Sequence, residues 1–237
     1  MGEVISPRAD VVRIEEHIRS SLQMAAARGG EIAEAAQARL ASALQAIDAA
    51  RQVRSSAEET EAGAWASVLA EDVRSDAAIG KLRDAMWNLI GRPRSSPLID
   101  QVFPEGVTTY TSGDPRGQPV LMQVLASRIK AAAAPQWSEE MRAAWAAEID
   151  ALRTTYATAV EAHRPVEAAA AVALAAYRST VRAGQARLAA FKRDLKNQGL
   201  SEVQIHEIIP DATRPQAAPP PKQPDVPPGP GTGAANG

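Results

Sequence analysis

The feature that most restricts this chain is its apolar spacing: over most of its length Leu, Ile and Val return every third or fourth position, with alanine filling many places between. That period belongs to amphipathic helices, whereas a half-buried strand would alternate every second residue. Fifty of the 237 residues are alanine and only 4% are aromatic, so a core must be assembled from scattered aliphatics among methyl-sized neighbours. The spacing predicts an all-α fold, an elongated antiparallel helical bundle of about six main helices over 1–209, with a disordered Pro/Gly-rich tail over 210–237.

Punctuation divides the bundle. Ser6-Pro7 reads as an N-cap with proline at the first helical position, and Val11, Ile14, Ile18 and Leu22 continue as one stripe until Gly29-Gly30. Met1-Gly2 with Ser6 also fits a myristoylation pattern, but so short a pattern arises easily by chance. A second helix is expected from Glu31 to about Arg54. Ser55 and Ser56, each three residues before Glu58 or Glu59, are expected to cap a third helix reaching Ile90. The period then vanishes over 91–118, where proline and glycine accumulate and Ser96-Pro97 opens one short helix through Phe103. It returns at Pro119, stops before Pro135, and restarts at Ser138 behind Trp137. Pro165 either kinks that helix or begins another, Gly199 caps the last long segment, and Ser201 opens a short one ending at Ile209-Pro210.

The two halves follow the same itinerary. A shift of 106 residues lays Leu82 on Leu188, Leu89 on Leu195, Ile99 on Ile205 and Pro104 on Pro210. Either a duplication, with pseudo-repeats at 6–104 and 118–209, or punctuation common to helical bundles accounts for this order.

Several chemistries are excluded. With no cysteine, disulfides, thiolate metal sites and cysteine nucleophiles are absent. His17, His163 and His206 lack the glutamate three residues earlier that a di-iron helical bundle requires. His163, beside Arg164 and Pro165, is expected on a surface turn. The common hydrolase, P-loop and zincin signatures are missing. A formal charge of -2 provides no global field for nucleic acid or an anionic membrane. Early charges (Arg8, Asp10, Arg13) argue against a secretory signal, and no apolar run approaches a membrane span, so a cytoplasmic location is expected. Arginine exceeds lysine strongly, a bias that GC-rich bacterial genes produce.

Two charge clusters remain. Arg178, Arg182, Arg187, Lys192, Arg193 and Lys196 load one helix near its C-terminus, where cations complement the dipole. Arg92, Arg94, Asp100, Glu105, Tyr110, Asp114 and Arg116 gather in the 91–118 connector, and long structured connectors often carry function. These seven form the candidate interaction surface. In the tail, Pro221-Lys222-Gln223-Pro224 fits a polyproline docking pattern, although any proline-rich spacer generates it. Alanine-faced helices approach closely and leave little room for a ligand. The expectation is therefore a non-enzymatic structural or protein-interaction bundle with a protein partner and no cofactor. The alternatives are a small-molecule- or metal-binding bundle with a concave site beside Asp100 to Arg116, and an oligomeric coiled-coil scaffold.

Overall fold

Asp10 opens the first described helix, its carboxylate accepting the Val12 N–H at 2.9 Å. A computed structural model describes residues 9–210, so the Ser6-Pro7 cap, the Met1-Gly2 pattern and the proline-rich tail lie outside the described residues. Helix α1 (Val11–Arg28) ends as expected at Gly29, whose φ of 73° suits a residue without a side chain. Helix α2 (Gly30–Ala36) passes through one π turn, Gln37–Ala41, into α3 (Ser42–Leu89). The short helix α4 (Pro97–Val102) follows, then α5 (Gln118–Ala131), α6 (Glu139–Asn197) and α7 (Glu202–Ile208). Counting α2, the π turn and α3 as one rod, six helices build the bundle, and the described residues contain no sheet.

Two expected breaks are absent. Ser55 and Ser56 do not cap a new helix, because no glycine or proline turns the backbone out of its ladder there. Their side chains serve the continuous α3 instead: Ser55 Oγ donates to Glu59 at 3.4 Å, and Arg54 Nε to Glu58 at 2.7 Å. Pro165 does not separate helices either; it lies inside α6, its exposed ring outside the packed seams and one backbone bond forgone. Other boundaries follow the sequence. Ser138 caps α6 through the Met141 N–H at 3.2 Å with Glu139 and Glu140 in the first turn, and Ser201 with Gln204 forms a capping box on α7.

At 48 and 59 residues, α3 and α6 run about 72 Å and 88 Å and pack along each other antiparallel. Their apolar residues form two separate cores. One joins the C-terminal half of α3 to the N-terminal half of α6 under α4 and α5, around Leu82, Phe103, Leu125, Trp137 and Ile149. The other joins the opposite halves under α1 and α7, around Ile18, Ile47, Leu188, Phe191 and Ile205. Between them lies a waist: α3 buries nothing from Ile47 to Val68, a stretch of about 30 Å. Glu15 of α1 meets Arg51 at the near end of the waist, and Arg116 of the connector lies over Trp65 at its far end; between these α3 and α6 run as a pair.

The 106-residue shift carries α4 onto 203–208, against the observed Glu202–Ile208 of α7, and α1 onto 117–134, against Gln118–Ala131 of α5. It also lays buried positions on buried positions, including Leu40 on Ala146, Ala43 on Ile149, Ala78 on Gly184 and Val102 on Ile208.

Candidate functional site

The connector turns at Gly91 and Arg92, both at positive φ, and Arg92 Nε is held by Asn88 Oδ1 at 2.7 Å. Arg94, Asp100 and Glu105 are exposed. Tyr110 is not a surface residue: it is 1% exposed, packs edge-to-face on Phe103 at 5.7 Å, and its hydroxyl accepts from Arg128 at 2.5 Å. An aromatic ring beside an apolar short helix is more stable in the core than in water, and Arg128 satisfies its polar end. Of the seven candidates the structure pairs Asp114 with Arg116, whose N–H donates to Asp114 Oδ1 at 3.1 Å.

Beside Asp100 lies a groove of about 620 Å³ between the end of α3 and α4, floored by Trp87, Ile99, Phe103 and Val107 with Asp84 and Asp100 at its rim. Arg83 lies over the Trp87 ring at 5.1 Å and close to Asp84 at 3.3 Å. Arg116 faces elsewhere. It binds Glu167 on α6 at 2.8 Å, lies 4.6 Å over the Trp65 ring, and lines a smaller depression of about 200 Å³ with Arg153 and Arg164. Both of those arginines are already paired, with Asp150 and Glu161.

The waist-side end of this core holds polar groups that the sequence did not reveal as a group. His163 is 1% exposed, not on a turn, because α6 continues through it and brings it onto the seam with Tyr156 and Val160. Its Nε2 meets Glu61 at 2.9 Å and its ring packs on Trp65 at 5.1 Å. Further along, Tyr156 donates to Asp72 at 2.7 Å; burial first, and then this carboxylate, hold the phenol well above its usual range. Asp76, one turn beyond Asp72, is pushed up to about 6 by burial and by Asp72, and its Oδ1 has no hydrogen-bond partner. Neither groove is lined by Asp72, Asp76 or Tyr156. Among the described residues no group of three or more His, Asp or Glu side chains is placed to hold a metal ion.

A second feature missed by residue-type reasoning is an outer face of α6. From Ala151 to Ala186, positions spaced alternately by four and three are all exposed and carry no charge, among them Ala162, Pro165, Ala169, Val172, Ala176 and Ser179. This seam runs about 53 Å, and its signal was in the sequence as a second 4-3 register beside the buried one. The basic cluster has ordinary partners: Lys192 and Lys196 meet Glu202 on α7, and Arg187 donates to Ser42.

No protein family, curated protein or solved structure matches the chain. Among the described residues no helix is long and apolar enough to cross a membrane.

Proposed function

We propose that the protein is a non-enzymatic interaction rod, built to present a long helical face to a protein partner. The exposed 4-3 seam of α6 carries this reading. Its eleven solvent-facing positions hold six alanines, three hydroxyl residues, Pro165 and Val172 and no charge, and such small side chains let another helix approach to about 8 Å. The seam lies across the waist, in the middle of which α3 and α6 run as a pair. The test is capture from a cell extract by the full chain and by an Ala169→Glu/Val172→Glu variant checked for unchanged helicity. Partners retained equally by both would remove the seam from the interaction.

A second reading, a small-molecule site at the 91–118 connector, is favoured by the groove beside Asp100. A thermal-shift screen tests it: a ligand at a hundredfold its Kd adds about 2.7 kcal/mol, and Trp87→Ala removes the shift. We also propose that the chain arose by duplication of 6–104 into 118–209, supported by the coincidence of helix bounds and buried positions under the 106-residue shift.

A further inference from the structure

We infer that the α6 seam is covered by α6 of a second copy, running antiparallel across a dyad between Ala170 and Ala171. This deepens the interaction reading and rests on it. The flanking charges select both partner and direction. Glu161, which also meets Arg164 of its own helix at 3.1 Å, borders the seam on one side of the dyad and Arg182 borders the same edge on the other. With Ala169 level with Val172 of a second copy, and Ala162 level with its Ser179, Glu161 falls within about 3 Å of the height of Arg182 of that copy, twice by symmetry. A parallel pair would set Arg182 beside Arg187 of the other copy, like charges twice by symmetry, and would leave Glu161 beside Val166. On the other edge Val166 and Thr180 are half-buried and uncharged, and Arg187 falls within about 3 Å of the height of Leu152 of the second copy, so no like pair forms.

Size agrees. A contact about 53 Å long and about one helix diameter wide covers roughly 500 Å² per copy, about 1,000 Å² in all, which reaches the threshold for a biological interface and fits a reversible dimer. The residues that hold α6 to α3, among them His163, Tyr177, Val181 and Leu188, all lie off this seam, so pairing leaves both cores intact.

The chain's lack of cysteine allows a direct test on the full protein. An Ala162→Cys/Ser179→Cys variant places two thiols about 25 Å apart within one chain, too far for an internal bond, but opposite each other between copies. Mild oxidation is expected to give a dimer linked by two disulfides, and an Ala162→Cys/Ala186→Cys variant, about 10 Å out of register, is expected to give at least tenfold less. Sedimentation of the unmodified chain is expected to report a dimer, and Val172→Glu a folded monomer. A monomeric wild type at 100-micromolar-scale concentration, or equal cross-linking by both cysteine pairs, overturns the second-copy assignment. In the monomeric case, extract capture that still depends on Ala169 and Val172 leaves the interaction reading standing with a different occupant.

Discussion

Neutralising Asp76 is expected to stabilise the protein at neutral pH and to flatten part of its acid profile. In the folded chain this carboxyl is partly withdrawn from water, its Oδ1 unbonded and Asp72 one turn away, and it titrates near 6 against an ordinary 3.8. Between those two pH values the folded state keeps a proton that the unfolded state has released. Stability contributed by this group is therefore complete below about pH 4 and lost as pH rises through 6. Unscreened, a rise of roughly two pH units corresponds to about 3 kcal/mol; with water still touching the residue, about 1–2 kcal/mol is the reasonable magnitude. Asp76→Asn removes the charge and offers an amide N–H to Asp72. Urea unfolding from pH 4 to 8 should find the variant more stable above pH 6.5 by about 1–2 kcal/mol, or about 2–8 °C in Tm, with the gap closing toward pH 4. Parallel wild-type and variant profiles would refute the argument, since they would mean that Asp76 titrates alike in both states.

Replacing Pro165 by alanine restores one helical N–H inside α6 and should raise stability by about 1–3 kcal/mol in the same urea titration. Leu82→Ala and Leu188→Ala each truncate a fully buried side chain, one in each core, and should cost about 2–5 kcal/mol apiece. Hydrogen exchange should place the first loss around α4 and α5 and the second around α1 and α7. At Gly184 a Cβ would stand 3.0 Å from both Ile18 Cδ1 and Ile47 Cδ1, so Gly184→Leu should destabilise by about 1–3 kcal/mol or more. At Gly63, where nothing lies within 4 Å, alanine should instead gain about 0.5–1 kcal/mol by chemical denaturation.

Helix starts were legible at Ser138 and Ser201, which cap as their spacing to the next polar residues required, but not at Asp10, which caps α1 where Ser6-Pro7 predicts a helix already under way. The serines at 55 and 56 have the same spacing and cap nothing, because a cap also needs the chain to arrive from a non-helical direction, and Arg54 arrives helical. Pro165 misled in the same way, since a proline facing solvent costs one bond without forcing a break. The connector residues were legible as a group in sequence but not in space. Tyr110 turns inward onto Phe103, Asp100 turns to the groove and Arg116 crosses to Glu167 on α6. Contacts such as His163 with Glu61, 102 residues apart, depend on how α3 and α6 align, which no local spacing encodes. The outer seam was hidden for the opposite reason: alanine fits core and surface alike, so a second register of small residues does not stand out until burial separates the two.

The waist gives the protein an adjustable length. Between Arg54 and Glu61 on α3, and between His163 and Ala173 on α6, no residue is buried, so the same number of residues can be inserted into both there without disturbing a buried side chain. Seven residues in each would move the two ends about 10.5 Å apart while rotating them by only about 20°, whereas two would swing one end about 200° around the axis. Versions of this chain of different length should therefore differ by whole heptads at this place, matched on both strands of the rod.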